Sequence, residues 1–214
     1  TLNEDGSDYN KDRLYGSVDA SYEINKWSNI TYRFGLDQSS DLLKRWTAII
    51  DASPGSPNDG SSTEQPGSYS EAINNLGQYN HDILYNLDFE LGNNFKLSST
   101  FGWNLNERSS YFISASVGNQ DIPNFYSLSN SSDSATTFSV KSKRKLYGVY
   151  NSSTLTYDNQ IYLTTNIRND WYSTLPKENQ SVLYGGINSS WIITNTFPQI
   201  KKVLSYGKLR AGYG

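Results

Sequence analysis

The sequence predicts an all-β protein, an antiparallel meander of about eight strands forming the wall of a transmembrane β-barrel. Three observations predict it. Side chains alternate apolar and polar along most of the chain, the period of two that marks a strand. The connections between these segments alternate between short and long. Aromatic residues make up 14% of the chain while mean hydropathy stays at −0.65, a balance that alternating barrel strands produce and a buried core does not.

Taken in order, the predicted strands are these. Residues 13–22 come first. In NITYRFGLD, residues 29–37, Ile30, Tyr32, Phe34 and Leu36 share a face opposite Asn29, Thr31, Arg33, Gly35 and Asp37. In DILYNLDFEL, residues 82–91, Ile83, Tyr85, Leu87, Phe89 and Leu91 oppose a face that carries Asp82, Asp88 and Glu90. In KLSSTFGWN, residues 96–104, Leu97, Phe101 and Trp103 oppose Lys96, Ser98, Thr100 and Gly102. Residues 145–157, 161–170, 182–193 and 204–213 complete the eight, and no stretch shows a helical period. Short turns are expected at 23–27, 92–94 and 158–160, each with Asn, Asp or Gly at the bend, and a longer one at 194–203. Long connections are expected at 38–80 and 105–144, and a shorter one at 171–181. Short turns on one side and long loops on the other is the layout of an outer-membrane barrel.

Composition narrows the function classes. No apolar run reaches the roughly 18 residues of a spanning helix. A formal net charge of −3 gives a nucleic-acid backbone nothing to bind. The absence of cysteine removes disulfide and thiolate chemistry. The chain opens on TLNEDGSDYN and stops in strand pattern at RAGYG. The expectation is a single barrel segment, residues 1–214, without a signal peptide.

The face chemistry assigns sides. Ile30, Phe34, Ile83, Phe89, Phe101, Leu163 and Ile167 are expected to face lipid, with Phe89 near mid-depth. Arg33, Asp88, Glu90, Lys96 and Arg168 are expected to face a polar lumen. Trp27, Phe95, Trp103 and Trp171 fall at predicted strand ends, where aromatic girdles sit. The segment RNDWYSTLP, residues 168–176, reads as a strand leaving the membrane: charge, then two interfacial aromatics, then a proline-bearing loop.

At this point the sequence resembles a family. GVYNSSTLTYDNQIYLTTNIRNDWYSTLP, beginning at residue 148, is similar to the barrel of SusC/RagA-type TonB-dependent outer-membrane transporters, and SYGKLRAGYG at the end resembles another of their strands. The specific likeness lies in residues 146–176 and 205–213, with Ile167 standing where the family often has a small residue. The resemblance implies a larger barrel of about 22 strands, in the outer membrane of a Gram-negative bacterium. It also implies a plug, a SusD-like surface lipoprotein as lid, and energy from TonB through an N-terminal part that this segment lacks. The expected function is the wall of a nutrient importer for glycan or oligopeptide, with lipid around it, no cofactor and no catalytic activity. Three other readings compete: a transporter-like scaffold subunit, a self-contained eight-stranded barrel, and a soluble carbohydrate-binding β-sandwich. Chain-end pattern counts against the second, and sorted loops with strand-end tryptophans count against the third.

Arg168 either contacts a ligand or pairs with a carboxylate. Asp82, Asp88 and Glu90 read as lumenal acids, although their spacing is near that of a catalytic carboxylate pair. His81, the only histidine, reads as a surface or interface residue. Asp8, Asn10 and Asp12 have calcium-loop spacing, but Arg13 stands where the loop glycine belongs, so no EF-hand is expected. Trp46, Tyr69, Phe125 and Tyr126 are expected in the long loops, where they would contact a ligand or a lid.

Overall fold

The structure, a computed structural model, describes residues 5–56, 59–60 and 64–214. Eight strands form one antiparallel sheet in simple sequence order. They are β1 (Gly6–Asn25), β2 (Ser28–Ile50), β3 (Gln65–Leu91), β4 (Phe95–Gly118), β5 (Thr136–Tyr157), β6 (Ile161–Tyr172), β7 (Ser181–Ile192) and β8 (Lys208–Tyr213). The expected meander is therefore present, strand for strand.

The turns follow local chemistry. Asp158 and Asn159 both take positive φ (48° and 52°), and Gln160 N–H donates to Tyr157 O at 2.9 Å. That is the primed turn whose twist suits a hairpin, and Asp-Asn is a pair that tolerates it. Gly92, at φ +75°, opens the 92–94 turn between β3 and β4. Between β1 and β2 the Asn25 side chain caps the bend by accepting from Trp27 N–H at 3.0 Å. A four-residue helix, α1 (Ile193–Thr196), and a 3-10 turn at Pro198–Lys202 join β7 to β8.

The strands exceed the expectation. β2 runs to Ile50, β3 starts at Gln65, β4 runs to Gly118 and β5 starts at Thr136. The long connections are therefore 51–64 and 119–135, not 38–80 and 105–144. Trp46 lies in β2 and Tyr69 in β3, so neither is a loop residue. Trp103 lies inside β4 rather than at its end. Asp8, Asn10 and Asp12 belong to β1, a strand and not a cation loop.

The chain divides into two compact units. The first gathers Thr1–Tyr15, Asp37–Gln78 and Arg108–Lys143; the second gathers Gly16–Leu36, Tyr79–Glu107 and Arg144–Gly214. The first holds a small core of Ala48, Tyr69 and Val117. It also holds an ordered connection, 119–135, built around Asn130, which is 2% exposed. The Asn130 amide donates to Ile122 O and Phe125 O, and its carbonyl accepts from Ile122 N–H at 2.9 Å. Gln120 N–H donates to Pro66 O at 2.9 Å, which ties the connection to the start of β3. Gly67 next to it has φ +72°, and a Cβ there would come within 3.0 Å of Ile49 Cγ1 and 3.2 Å of the Gln120 side chain, so only glycine fits. Asn130→Ala should strip three bonds from this peg and leave carbonyls unpaired, a cost of about 1–3 kcal/mol. The expected result is rapid proteolysis within 119–135 while the sheet stays protected, read by limited proteolysis and mass spectrometry.

In the second unit the register defines two faces. One carries the rows Tyr157–Ile161–Trp191–Leu209, Leu155–Leu163–Ser189–Ala211 and Tyr147–Trp171–Ser181. The other carries Thr156–Tyr162–Ser190–Arg210, Thr154–Thr164–Asn188–Gly212 and Tyr150–Arg168–Tyr184. The first face is apolar and uncovered: Phe101 is 50% exposed, Ile167 57% and Leu183 70%. Aromatic pairs bound it. Trp27 stacks on Phe89 with centroids 5.0 Å apart, Phe95 meets Tyr157 at 4.8 Å, and Tyr147 stacks on Trp171 at 5.3 Å. Phe89 therefore sits against Trp27 beside the turn and not at mid-depth of the apolar face.

A polar cluster on the apolar face is closed upon itself. Asn151 donates to Ser99 Oγ at 2.9 Å and to Thr100 O at 3.2 Å, and Ser99 and Ser153 share a hydrogen bond of 2.7 Å. His81 is likewise engaged, its Nδ1 lying 2.8 Å from Tyr32 Oη and its ring 5.1 Å from Phe34.

Candidate functional site

The polar face of the second unit is a sheet of side-chain hydrogen bonds. Asn86 donates to Asn29 at 2.9 Å and accepts from Thr100 at 2.8 Å. Ser98 donates to Asp88 at 2.6 Å, and Asn104 donates to Asp82 at 2.7 Å. Ser152 bonds Asn166 at 2.7 Å, and Thr154 meets Thr164 at 2.9 Å. Arg33 pairs with Asp19 at 3.7 Å and Lys96 with Glu90 at 3.5 Å. These bonds place Arg33, Asp88, Glu90 and Lys96 on one face, and the register places Arg168 on the polar face of its strand. They also give Asp82, Asp88 and Glu90 a separate partner each, so the three acids do not converge on one point. Cross-strand pairs of this kind are worth a few tenths to one kcal/mol apiece, about 0.2–1.

One cluster is more demanding. Asp170 is 3% exposed and accepts from Arg168 Nε at 2.8 Å and from Tyr184 O–H at 2.7 Å. The Arg168 guanidinium lies 5.3 Å from the centroid of the Tyr150 ring. Two glycines make the room. A Cβ on Gly102 would fall 2.0 Å from Tyr150 Cζ, and one on Gly148 would fall 2.2 Å from Asp170 Oδ1. The sequence order Arg-Asn-Asp-Trp is now physical. Arg168 and Asp170 point to the polar face and pair with each other. Asn169 bonds Ser181 at 2.9 Å, and Trp171 stacks on Tyr147. Arg168 thus takes the carboxylate-pairing role. Tyr150, Tyr184, Gly102 and Gly148 were not singled out in the sequence. The signal that could have found them is glycine at a polar-face position of a strand, where a large ring on the neighbour needs space.

The four aromatic candidates lie in the first unit. The Trp46 and Tyr126 rings stand 5.4 Å apart, so Tyr126 docks its connection onto β2. Tyr69 is buried and donates to Glu71 Oε1 at 2.6 Å. Burial, helped by the Glu71 carboxylate, pushes its phenol up to about 12, which keeps it protonated in any physiological medium. Phe125 alone of the four is well exposed, at 49%, beside Ile122 at 57%. In the other connection, the Ser53 hydroxyl and N–H hold the Asp51 carboxyl below the usual carboxylate range. Residues 57–58 and 61–63 of that connection lie outside the described residues.

A meander with one hydrogen-bonded polar face and one uncovered apolar face, bounded by aromatic pairs, is the architecture of a β-barrel wall. Solved structures agree on the fold. Over 98% of its residues the chain matches 23% of a chain of the RagAB peptide importer in its "closed-closed" state, with TM-score 0.87 and 15% identity. It matches the "open-open" state of that importer over 100% of this chain and 23% of the other, with TM-score 0.87 and 17% identity. A further structure of the RagAB peptide transporter matches over 96% of this chain and 23% of the other, with TM-score 0.82 and 17% identity. The chain thus spans about a quarter of the length of the chains it matches, and the SusC/RagA-type resemblance read in the sequence holds at the level of fold. No family model and no curated protein matches the sequence.

Proposed function

We propose that this chain is wall of an outer-membrane, TonB-dependent importer of the SusC/RagA type, taking up oligopeptide or glycan beneath a SusD-like surface lipoprotein. The observation that carries the reading is the apolar face of the second unit. From Tyr147 to Tyr157 on β5 and from Ile161 to Trp171 on β6, the uncovered face is closed at both ends by aromatics. Eleven strand residues rise about 3.3 Å each, and a tilt of about 45° turns that length into roughly the 25 Å of a barrel's apolar band. A face of this size left bare in water would aggregate, and lipid is the cover it fits. Peptide is the favoured cargo because the fold neighbours are peptide importers. TonB would act through a segment N-terminal to this one.

The connection 119–135 then stands on the outer surface, and its exposed Ile122 and Phe125 are the contact points for the lid. The test uses the full-length protein. Ile122→Asp with Phe125→Asp leaves the Asn130 peg intact, so the barrel should reach the outer membrane at wild-type level. Lid recovery in a pull-down should fall at least tenfold, and growth on the cognate nutrient should fall with it. Unchanged recovery and growth reject the lid role. A protein that fractionates with soluble material rejects the importer reading altogether. Lid binding without any uptake supports the scaffold reading instead.

A further inference from the structure

We infer that the first unit binds the phosphorylated sugar headgroup of an outer-leaflet lipid, in a groove on its outward side. The inference rests on the reading of the apolar face as a barrel's outer wall. The groove is an open cavity of about 580 Å³ that crosses β1 to β5, and Leu14, Ser40, Asn75, Ser109, Tyr111 and Lys141 are among its walls. All of them belong to the first unit.

Strand parity decides which way the groove opens. Asn29 meets Asn86, Ser40 meets Asn75 and Thr47 meets Ser68. Each step along β2 is matched by an equal step along β3, so no bulge interrupts the alternation. Ser40 lies an odd number of residues from Asn29 and therefore shares the side of Ile30 and Phe34. The next pair of strands agrees. Ser99 meets Ser153, and Glu107 pairs with Lys145 at 2.8 Å, again in equal steps along β4 and β5. Tyr111, Lys143 and Lys141 follow at even spacing and take the same outward side.

The lining suits a saccharide. Tyr111 is 37% exposed and offers a ring face. The Ser40 hydroxyl donates to Asn75 Oδ1 at 2.7 Å, which orients the carboxamide and keeps its N–H groups as donors. Ser109 adds a hydroxyl. An aromatic ring with a few placed hydroxyl and amide groups is the make-up of a small-molecule site.

Charge sets the rest. The β5 wall is the run KSKRK, residues 141–145, and no aspartate or glutamate occurs from 134 to 157. Lys141 and Lys143 share a side about 7 Å apart along the strand, close enough to face one anion. They give the β5 end a positive field. At the β1 end Asp12 lines the groove, while Lys11 and Arg13 are paired with Asp41 and Asp37. The groove is therefore polarised: an anion belongs at β5 and sugar hydroxyls at β1. Lysine is a compact point charge that suits a phosphate, whereas a planar carboxylate suits arginine. Cargo in a lumen is on the wrong side of the sheet. Lipid is on the right one, and basic clusters at a membrane surface bind anionic headgroups.

The test uses full-length protein in neutral detergent. The probes are lipid A, the same lipid stripped of its phosphates, and inorganic phosphate, with binding read by native mass spectrometry. Wild type should bind the phosphorylated form about tenfold more tightly than the stripped one, and salt should narrow the gap. Lys141→Gln with Lys143→Gln abolishes the preference, and Lys141→Arg with Lys143→Arg keeps it. Tyr111→Ala weakens both forms alike. Arg144→Gln, at the opposite parity of β5, changes nothing. The inference is overturned if wild type shows no preference or if the double glutamine variant retains it. It is also overturned if inorganic phosphate displaces the lipid at equal concentration, which marks a free-anion site, or if Tyr111→Ala binds both forms as wild type does. Insertion into phosphatidylcholine vesicles is scored on the same preparations. Wild type that inserts without any preference loses the site and keeps the importer reading, whereas wild type that does not insert loses both.

Discussion

Phe101→Arg is expected to cost about 2–4 kcal/mol of folding into a bilayer, a thirtyfold to thousandfold shift toward the unfolded state. Phe101 is half exposed on the apolar face, seven residues into β4, well away from the aromatic pair at the strand's foot. On the proposed reading of this face as a barrel's outer wall, a guanidinium there would enter hydrocarbon. Thr100→Arg is the matched control. Thr100 lies on the opposite face, bonded to Asn86, and its replacement loses one neutral hydrogen bond worth about 1 kcal/mol and places the charge among polar groups. Refolding of the full-length protein into lipid vesicles, followed in urea by gel shift, reads both. Equal folding of the two variants would reverse the faces or remove the membrane. Phe89 is the instructive contrast. The sequence places it mid-band because alternation alone carries no depth, whereas its stacking on Trp27 puts it beside the turn. Arginine there should cost only about 0–1 kcal/mol, since the penalty falls away at the interface.

Alternation made the second unit legible because each of its faces meets one kind of surroundings. In NITYRFGLD every other residue is apolar, and in IYLTTNIR all but Thr165 of that parity are, so strand, face and register parity can be read directly. The turns at 92–94 and 158–160 were legible for a different reason: Gly92, Asp158 and Asn159 supply the positive φ that tight bends require. The first unit defeated the same reasoning. QSSDLLKRW in β2 and RSSYF in β4 put polar side chains at both parities, yet both are strand. Backbone ladder bonds hold these extensions, and Arg13 bridges Asp37 there with bonds of 2.9 and 2.7 Å. Where no face has to be apolar, composition resembles a loop. The Gly, Pro and Ser of 52–67 reinforced that impression, although Gly67 is a strand position whose φ of +72° fits the close approach of Gln120. The candidate site split in the same way. Arg168 was visible as a charge on a polar face. Its dependence on Gly102, Gly148, Tyr150 and Tyr184 was not, because that is a matter of which strands stand side by side.

Asp170→Ala is expected to destabilise the folded protein by about 2–4 kcal/mol, below the full 3–5 of a wholly buried pair. Asp170 is almost completely enclosed, but the Arg168 side chain is 29% exposed and recovers some hydration once its partner is gone. Two donors are orphaned together, Arg168 Nε and the Tyr184 hydroxyl. The space that Gly148 leaves for the carboxylate also becomes a void. Tyr184→Phe removes only one donor and should cost about 1 kcal/mol. The diagnostic is the double variant, Arg168→Ala with Asp170→Ala. If the pair acts as a unit, its cost falls short of the sum of the two single variants by at least about 1 kcal/mol, because no charge is left alone. Urea unfolding from lipid vesicles supplies all four values. Additive single variants, or an Asp170→Ala protein within 0.5 kcal/mol of wild type, roughly the error of such a cycle, would show that Arg-Asn-Asp is merely a polar strand end. A large coupling would explain why a barrel strand spends three consecutive polar residues immediately before its interfacial tryptophan: the ion pair locks β5, β6 and β7 together at the level where Trp171 anchors the apolar face.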